Sequence, residues 1–406
     1  MSALLADVRV LDLSRILAGP WATQNLADLG ASVVKIERPG AGDDTRHMGP
    51  PFFRAPGSDT DGDAAYFMCC NRGKQSVTID FTRPEGQALV RKLAGQADVL
   101  VENYKVGGLR KYGLDYESLA EINPDLVYCS VTGFGQTGPY RERAGYDYLI
   151  QAMSGLMSVT GECDELPGGG PQRVGVAVSD LFSGMYATVA ILAALRHRDR
   201  GGGGQHIDIS LLDCQIGTLV NQGLNYLATG QAPVRMGNGH PNIAPYQRYR
   251  ARDGYLILAV GNDAQFRKFC CAAGRPEMGS DPRYATIGDR VRNRASLNEW
   301  LVAMMAERTV DEWVALLERA GVPCGPINSI ARVFEDPHVQ ARGMRVDLEH
   351  PVYGSVPGIR NPIRYSKTPM EHHNAPPALG QHTERVLRDL GLSAEDIAGL
   401  RADHIV

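Results

Sequence analysis

The chain has 406 residues, a mass of 44.0 kDa, a formal net charge of −4 and a pI near 6.2. A single hydrophobic core rarely serves so long a chain, so we predict two domains. The slightly acidic balance and the dispersed basic residues give no reason to expect nucleic acid or an anionic membrane as a partner. Hydrophobic residues at 43% and charged residues at 22% are ordinary for a globular protein and do not indicate disorder.

The first part of the chain predicts an α/β domain. Residues 8–13 form an apolar run typical of a strand, Pro20 favours the start of a helix, and Gly30 suits the left-handed residue that ends one. A second strand is predicted at 32–36. Further short apolar runs lie at 97–102, 126–131 and 206–210. Strands that alternate with helices indicate a parallel sheet covered on both faces.

Asp180 lies between two apolar segments. Val174 to Val178 predicts a short strand, and Leu181 to Leu195 has apolar residues at helical spacing. We therefore expect Asp180 at a strand-to-helix junction, in the N-cap or first turn of a buried helix. Backbone N–H groups and the helix dipole favour an ionised carboxylate there. Helix capping is the structural explanation of such a residue, and a reactive carboxylate is the functional one.

The second half of the chain differs in composition. Residues 236–247 are rich in Gly, Asn and Pro, a strand is predicted at 255–260, and a later helix begins with a capping box at Thr309. More helices are predicted near the end of the chain, at 384–390 and 393–400. We therefore predict a large domain from residues 1–224 plus 331–406 and a small α+β domain from residues 225–330.

Cysteine usage bears on redox state and metal binding. Eight cysteines in a chain of this length do not make a disulfide scaffold. The adjacent pairs Cys69-Cys70 and Cys270-Cys271 lack the spacing of zinc knuckles, so we predict reduced thiols and no metal site. The start of the chain has no signal-like apolar core, and the apolar stretch 185–195 is too short to cross a bilayer. These features predict a cytoplasmic protein that does not bind membranes.

The turn after the first predicted strand lacks a dinucleotide fingerprint. It runs from Ser14 to Pro20 without the G-x-G-x-x-G pattern, which argues against a dehydrogenase. Backbone N–H groups at the helix start still suit a phosphorylated ligand. Arg38 follows the second strand and Arg46 comes shortly after, near the ligand crevice of a parallel sheet. Together these features favour an anionic ligand.

Several short motifs are spaced along nearly the whole chain. They are Leu11-Asp12-Leu13-Ser14, Leu17-Ala18-Gly19-Pro20, Val34-Lys35-Ile36-Glu37-Arg38-Pro39-Gly40, Val101-Glu102-Asn103-Tyr104, Gly145-Tyr146-Asp147, Gln151-Ala152-Met153-Ser154-Gly155, Gly321-Val322-Pro323-Cys324-Gly325-Pro326 and Gly380-Gln381-His382-Thr383. In this order, together with the Asp180 junction, they resemble class III CoA-transferases, the family of formyl-CoA transferase, carnitine CoA-transferases and α-methylacyl-CoA racemase. The resemblance implies a Rossmann-like large domain, a smaller domain and an interlocked homodimer with the active site at the interface.

The resemblance also implies covalent catalysis by Asp180. In the family's transferases an aspartate attacks the donor thioester to form a mixed anhydride, which the CoA thiolate converts to an aspartyl-CoA thioester. The acceptor carboxylate then attacks the enzyme, and the same steps proceed in reverse to give the new acyl-CoA. We expect the helix start to keep Asp180 ionised without a general base. One thioester is exchanged for another, so the reaction needs no metal, nucleotide or redox cofactor.

Residues 239–247, followed by Gly254-Tyr255 and Gly261-Asn262, resemble the branch that uses succinyl-CoA and small dicarboxylates. Glutarate, itaconate, malate, citramalate and mesaconate are acceptors in that branch. The second carboxylate of such an acid calls for a cation, and arginine recognises it through two parallel hydrogen bonds. The candidates are Arg46, Arg72, Arg141 and Arg143.

Other roles follow from the resemblance by position. Tyr146 and Asp147 are expected beside the nucleophile, and Gly237 and Gly239 in a mobile loop over the active site. The residues expected to bind CoA are Ile16, Leu17, Ala18, Arg38, Arg72, Lys74, Asn103 and Lys111. The glutamine that formyl-CoA transferase has at the Leu17 position is missing, so its role is not carried over.

Two alternatives to the transferase remain. A racemase needs a base on each face of the α-carbon, and the family's racemases have a histidine in the segment that contains Tyr146. Tyrosine is a poor base at neutral pH, which favours the transferase. A non-catalytic CoA-binding protein would not need Asp180, so the intact aspartate argues against that alternative.

Overall fold

The computed structural model describes residues 3–372 and 374–406. Its strands are β1 (Arg9–Asp12), β2 (Ser32–Glu37), β3 (Lys74–Thr78), β4 (Val99–Glu102), β5 (Val127–Thr132), β6 (Gln205–Ser210), β7 (Tyr246–Arg250), β8 (Tyr255–Ala259), β9 (Cys324–Pro326), β10 (Arg345–His350) and β11 (Gly354–Ile359). Its helices are α1 (Ala18–Asp28), α2 (Ala65–Met68), α3 (Pro84–Ala94), α4 (Tyr116–Ala120), α5 (Asp147–Met153), α6 (Leu156–Val159), α7 (Val178–His197), α8 (Leu211–Gly217), α9 (Val220–Thr229), α10 (Asp263–Ala272), α11 (Pro276–Ser280), α12 (Ile287–Arg292), α13 (Arg294–Met305), α14 (Val310–Arg319), α15 (Ile330–Glu335), α16 (Pro337–Ala341), α17 (Thr383–Asp389) and α18 (Ala394–Ala402).

The chain divides into two compact units. The large unit comprises the described residues of Met1–Leu156, Val174–Gly223 and His338–Val406, and the small unit comprises Met157–Arg173 and Leu224–Pro337. This division differs from the predicted domains mainly at 157–173, a segment that belongs to the small unit. There Arg235 forms an ion pair with Asp164 and donates a hydrogen bond to the carbonyl of Ser158 at 3.2 Å. Such contacts are remote in sequence, so composition did not reveal them.

The large unit is built on a six-stranded parallel sheet in the order β3-β2-β1-β4-β5-β6. On the central strand β1, Leu11 is opposite Val34 of β2 on one side and Leu100 of β4 on the other. This is the strand order of a doubly wound sheet, whose ligand crevice lies beyond the carboxyl ends of the strands where the order reverses. Here the reversal lies between β1 and β4. The predicted α/β, Rossmann-like fold is confirmed.

Apolar layers cover both faces of this sheet. Side chains alternate along a strand, so Val10 faces the layer that contains α1 and α7, and Leu11 faces the opposite layer. Ile191 of α7 lies in the first layer and Leu387 of α17 in the second. Full burial of such a side chain contributes about 1.5–3 kcal/mol. The C-terminal helices thus complete the core of the large unit, although they are farthest in sequence from β1.

Helix α7 continues into a π-helical turn, and the whole segment Val178–Gly202 is long and apolar enough to span a membrane. The apolar stretch singled out in the sequence is therefore part of a longer helix, and its length alone does not exclude a span. Ala187, Ile191 and Leu195 on this helix are buried in the sheet core. Packing against the sheet accounts for the apolar residues on this face of the helix.

One local prediction was wrong, and one strand of the large sheet was missed. Residues 174–178 do not form a strand: the N–H of Val174 donates to Oε1 of Gln151 at 2.9 Å, and Val176 is 58% exposed. The Asp180 helix is therefore preceded by a loop. The edge strand β3 was not predicted, because its sequence Lys74 to Thr78 is mostly polar and carries no apolar alternation.

The small unit has an antiparallel sheet in the order β7-β8-β9. Leu256 and Leu258 of β8 are buried against Phe269 of α10 and Trp313 of α14. The predicted capping box at Thr309 is present, since Thr309 and Glu312 satisfy each other's backbone N–H groups. This unit therefore has its own hydrophobic core.

Candidate active site

Asp180 is the third residue of α7, but it does not cap the helix. The N-cap residue Ala177 provides no side-chain acceptor. Instead Asp147, the first residue of α5, accepts the N–H of Ser179 at 2.8 Å and the amide of Gln151 at 2.7 Å. Among the described residues none hydrogen-bonds the Asp180 carboxylate. The predicted neighbour Asp147 thus performs the capping, and the Asp180 carboxylate remains available for chemistry.

The pKa of Asp180 differs from the expected one. Loss of hydration raises the pKa of Asp180 to about 7, and the negative charge of Asp147 adds to the effect. The helix start was expected to keep Asp180 ionised, but desolvation and the charge of the second carboxylate shift the pKa in the opposite direction. At neutral pH Asp180 is therefore divided between its neutral and ionised forms.

A buried hydrogen-bond chain holds the start of α7. Ser179 Oγ donates to Oε1 of Gln215 at 2.8 Å, and Nε2 of Gln215 donates to Oγ1 of Thr218 at 2.8 Å. Ser179 and Gln215 are 0% and 2% exposed. Ser179 is thus held through its N–H by Asp147 and through its hydroxyl by Gln215. Sequence reasoning missed this pair because Gln215 lies on another helix.

Tyr66 is a further group that the sequence did not reveal. It lies on the short helix α2 and is half-buried. Burial raises the pKa of Tyr66 to about 12, and the charge of Asp180 is the next cause, with smaller effects from the Cys69 and Cys70 thiols and Asp147. The phenol is therefore in the electrostatic neighbourhood of Asp180 and stays protonated. No motif around Tyr66 signalled this, since it lies far from Asp180 in sequence.

Tyr146 occupies the N-cap position of α5, next to Asp147. Its side chain is 70% exposed and makes no cap hydrogen bond. The chain order Tyr146-Asp147 therefore brings Tyr146 to the edge of the site, while the direct contacts with α7 are made by Asp147.

The turn after β1 lies at the point where the strand order reverses. Asn103, just after β4, accepts the N–H of Arg15 at 2.8 Å and donates to its carbonyl at 2.6 Å. Ile16 has a φ of +70°, and its N–H donates to Asp43 at 3.3 Å. Positive φ is unfavourable for a β-branched residue, and such strain clusters at ligand sites. Leu17 and Ala18 are buried at the start of α1.

Two predicted CoA-binding cations are exposed near these turns. Arg38 directly follows β2 and forms no ion pair within the described residues. Lys111 is also exposed, with its ammonium 4.7 Å from the ring centre of Tyr112. Both side chains therefore keep donors for a phosphate.

Three other cationic residues from the predictions form ion pairs inside the large unit. Arg46 binds Glu37 at 2.7 Å and Asp63 at 3.0 Å, and Arg72 binds Asp28 at 2.6 Å. Lys74 donates to the buried Asp12 at 3.0 Å, to the carbonyl of Pro20 at 2.9 Å and to Asn71 at 2.9 Å. Burial lowers the pKa of Lys74, although Asp12 opposes the shift. These three residues hold the folded chain together, and their donors are occupied.

Arg141 and Arg143 lie on the exposed loop before α5. Arg141 is 3.6 Å from Glu142, and Arg143 stacks on Tyr140 at 4.5 Å and on Phe134 at 5.3 Å from the ring centres. Of the predicted carboxylate-binding arginines, only these two are exposed.

Gly237 and Gly239 lie in a loop of the small unit. Gly237 has a φ of +57°, and a Cβ there would collide with the carboxylate of Glu162. The N–H of Gly239 donates to the carbonyl of Met236 at 2.9 Å. Glycine is required at Gly237 by its backbone conformation, whereas Gly239 has an ordinary φ.

All eight cysteines are free thiols. Within residues 3–372 and 374–406, no group of His, Cys, Asp and Glu side chains is arranged to hold a metal ion. The chemistry that the described side chains offer is that of a carboxylate with a raised pKa beside a second carboxylate.

Comparison with known proteins identifies the family. The sequence model of CoA-transferase family III matches residues 5–383. A succinate–glutarate CoA-transferase of Agrobacterium fabrum is 51% identical over 389 residues, 95% of each chain. A human succinyl-CoA:glutarate CoA-transferase is 43% identical, over 95% of this chain and 86% of that protein. The crystal structure of a CAIB/BAIF family protein from Brucella suis has a TM-score of 0.84 at 51% identity, covering 96% of this chain and 100% of that one. The chain therefore belongs to CoA-transferase family III.

Proposed function

We propose that this chain transfers CoA from succinyl-CoA to a small dicarboxylate, with glutarate as the first candidate acceptor. The observation that carries the proposal is the 51% identity, over 95% of both chains, to a succinate–glutarate CoA-transferase. The Asp180 carboxylate at the start of α7 does not serve as a helix cap, which supports the proposal because the reaction needs a carboxylate nucleophile.

In the proposed donor half-reaction, an ionised oxygen of Asp180 attacks the thioester carbon of succinyl-CoA and the C–S bond breaks. The products are an aspartyl–succinyl anhydride and the CoA thiolate. The thiolate then attacks the carbonyl carbon of Asp180, which releases succinate and leaves an aspartyl-CoA thioester. Electrons balance at each step, and no net proton is taken up.

The acceptor half-reaction runs the same steps in reverse. A carboxylate of the acceptor attacks the aspartyl-CoA thioester, and the CoA thiolate leaves. The thiolate next attacks the acceptor carbonyl of the new anhydride, which forms the new acyl-CoA and regenerates the Asp180 carboxylate. A pKa near the working pH suits this role, because the ionised form is populated and is more nucleophilic than that of an ordinary aspartate.

We place the CoA moiety at the β1–β4 crevice, with the backbone of Ile16, Leu17 and Ala18 and the exposed cations Arg38 and Lys111 toward its phosphates. Asn103 is assigned to holding the turn through Arg15. Arg72 and Lys74 are omitted from the proposed ligand contacts, since their donors are occupied. Phosphates bind well at helix starts beside such a crevice.

We also propose a homodimer, interlocked as in the family, in the cytoplasm. Phe182, Tyr186 and Val189 of α7 are 42%, 46% and 61% exposed at helical spacing. Apolar side chains aligned on one helix face favour a protein partner. Light scattering on the purified chain tests the dimer, and a monomer at micromolar concentration contradicts it.

The function is tested by a thioester-exchange assay. Purified protein is mixed with succinyl-CoA and, in turn, glutarate, malate, itaconate, oxalate and carnitine, and the CoA products are identified by mass spectrometry. The expected product is glutaryl-CoA. No exchange with any acid, together with deuterium uptake at the α-carbon of a branched acyl-CoA, would show a racemase instead.

A further inference from the structure

Strand β2 and the loop that follows it contain a buried ion pair that none of the roles above uses. Nζ of Lys35 lies 2.8 Å from Oδ2 of Asp43, and the two side chains are 1% and 0% exposed. Burial alone would lower the pKa of Lys35, but the charges of Asp43, Asp12 and Glu37 raise it above its ordinary value. Burial alone would raise the pKa of Asp43, but the charge of Lys35 lowers it to about 2. Both residues are therefore ionised at neutral pH, and we name them the Lys35–Asp43 pair.

Both members of this pair also hold the backbone of the turn that follows β1. Nζ of Lys35 donates to the carbonyl of Ser14 at 2.8 Å. Oδ1 of Asp43 accepts the N–H of Ile16 at 3.3 Å, and it accepts the N–H and the hydroxyl of Thr45 at 3.0 and 2.8 Å. The pair therefore fixes the turn at two peptide groups, one on each side of Arg15.

Ile16 is the residue of this turn that most needs such support. Its φ is +70°, in the left-handed region that is unfavourable for a β-branched side chain. A conformation of this kind persists only where the surrounding structure holds it in place. Asn103 holds the preceding residue, Arg15, through both its N–H and its carbonyl, and Asp43 holds the N–H of Ile16 itself. The contact with Asp43 is therefore one of the interactions that offset the strain at Ile16.

The conformation of Ile16 sets the direction of the backbone donors that come next. The N–H groups of Leu17, Ala18 and Gly19 donate to no acceptor within residues 3–372 and 374–406. The N-cap residue Leu17 provides no side-chain acceptor, and no acidic residue lies in the first turn of α1. Free N–H groups at a helix start suit a phosphate. Ile16 directly precedes these donors, so a change in its backbone would turn them away from a bound phosphate.

Net stability does not account for the Lys35–Asp43 pair. Both charges are removed from water, and apolar residues in place of a buried ion pair often leave stability unchanged or raise it. An apolar pair would lack the two hydrogen bonds to the turn, at the carbonyl of Ser14 and the N–H of Ile16. Holding the turn is therefore the contribution that is particular to these two charged side chains.

We propose that Lys35 and Asp43 are positioning residues for CoA, which hold Ile16 at positive φ and thereby direct the N–H groups at the start of α1 toward the CoA phosphates. The inference rests on the proposed function, which places CoA at this turn, and it adds two residues that do not contact CoA themselves. Without the pair, the turn adopts the binding conformation only part of the time. The apparent affinity for CoA then falls by that fraction, while the chemical step is unchanged.

The test measures kcat and KM for succinyl-CoA in wild type, Asp43→Ala and Asp43→Asn. Asp43→Ala removes the acceptor for the Ile16 N–H, and it should raise KM about five- to thirtyfold, the range for the cost of one left-handed residue. The value of kcat should stay within about twofold of wild type, because bound CoA meets the same reacting groups. Asp43→Asn keeps an oxygen for the Ile16 N–H, so its KM should lie closer to that of wild type.

A double variant separates positioning from stability. Asp43→Ala leaves the buried Lys35 without its counter-charge, which can unfold the chain. Lys35→Met combined with Asp43→Leu removes both charges together, so thermal unfolding should stay close to that of wild type. The hydrogen bonds to the turn are still lost, so KM for succinyl-CoA should still rise. A folded double variant with the wild-type KM overturns the proposal.

Glycine at position 16 tests the strain directly. Glycine adopts positive φ without steric cost, so an Ile16→Gly chain needs less support from Asp43. Asp43→Ala should therefore raise KM less in the Ile16→Gly background than in the wild-type background. Equal increases in both backgrounds overturn the assigned role, because general loosening of the structure does not depend on the residue at position 16.

Asp61→Ala is the control for removal of an aspartate. Asp61 pairs with Arg54, and their side chains are 48% and 53% exposed, so KM and kcat should both stay unchanged. An Asp43→Ala protein with the wild-type KM overturns the proposal. A loss confined to kcat also overturns it, because it would place the effect on the chemical step.

If wild-type protein transfers CoA to no acid, the proposed function fails, and the affinity for free CoA replaces KM as the readout. Isothermal titration calorimetry then compares wild type, Asp43→Ala and Asp43→Asn. Weaker binding by Asp43→Ala that is largely restored in Asp43→Asn supports the positioning role. Equal affinity in wild type and Asp43→Ala, or no binding of CoA by wild type, overturns it.

Discussion

The carboxylate of Asp147 accepts the backbone N–H of Ser179 at 2.8 Å, one residue before Asp180. This contact caps α7 with a side chain from α5, so the Asp180 carboxylate is not used as a cap. The same contact brings a second negative charge beside Asp180 and contributes to its raised pKa. One interaction therefore leaves the candidate nucleophile free and adjusts its proton affinity.

Asp180→Ala is expected to lower thioester exchange more than about 10³-fold, as loss of a nucleophile does in other covalent enzymes. The variant should remain folded, because the Asp180 carboxylate makes no hydrogen bond in the described structure. Exchange rates and thermal unfolding measure both effects. Asp199→Ala, at the other end of the same helical segment and exposed, is the control and should keep full activity. Turnover retained by Asp180→Ala would exclude the aspartyl mechanism.

The acidic limb of the pH profile of kcat/KM should follow the ionisation of Asp180. We expect kcat/KM to rise with pH through about 7, the pKa of Asp180. Asp147→Asn removes a negative charge yet keeps an oxygen for the Ser179 N–H, so the pKa of Asp180 should fall and the limb should move to lower pH. The exposed Asp7→Asn serves as the control and should leave the profile in place. A limb that stays in place in Asp147→Asn contradicts the assigned cause.

Stability should also depend on the protonation of Asp180. Folding raises the pKa of Asp180 from 3.8 to about 7, so the folded state binds the proton more tightly than the unfolded chain. The free energy of unfolding that this group contributes is therefore greatest at low pH and falls as the pH rises from about 4 to about 7. Asp180→Asn, which imitates the neutral acid, should unfold at a higher temperature than wild type at pH 8. Thermal unfolding of both proteins across this pH range measures the effect. The difference between their melting temperatures should vanish near pH 4, and equal melting temperatures at pH 8 would contradict the assignment.

Arg46 was a candidate for binding the substrate carboxylate, but its buried ion pairs with Glu37 and Asp63 indicate a role in stability instead. Arg46→Ala leaves Glu37 and Asp63 without their cation, and breaking a buried pair in this way costs about 3–5 kcal/mol in the free energy of unfolding. Urea unfolding measures this, with Arg54→Ala as a control, since its pair with Asp61 is exposed and contributes about 0–1 kcal/mol. A stable Arg46→Ala protein with a raised KM for the acid would restore the substrate role.

Local patterns predicted five of the six strands of the large sheet. Gly30, with a φ of +102°, follows α1 as expected, and the strand predicted at 32–36 is β2. The predictions failed where the local pattern was absent or misleading. Lys74 of the polar strand β3 forms a buried ion pair with Asp12 that the local pattern does not reveal, and the apolar run at 174–178 does not pair with a strand.

The candidate site shows the same division. Asp180 was proposed from its place before an apolar helix and from the surrounding motifs, and Asp147 from the motif Gly145-Tyr146-Asp147. Arg72, placed among the CoA ligands, is instead paired with Asp28, 44 residues away in sequence. Gln215 contacts the start of α7 from another helix, and the charge of Asp180 affects Tyr66 on α2. The residue type shows that a side chain is charged, but it does not show which partner neutralises that charge.

The sequence by itself determined the α/β class, the family and the aspartate on which the chemistry is proposed to depend, because periodicity, glycine and proline positions and motif order are local properties. Only the tertiary structure decided that Asp147 caps α7, that Asp180 has a raised pKa, and that Arg46, Arg72 and Lys74 form internal ion pairs. The physical reason is that hydration and Coulomb energies depend on distances between groups remote in sequence, which exist only once the chain has folded.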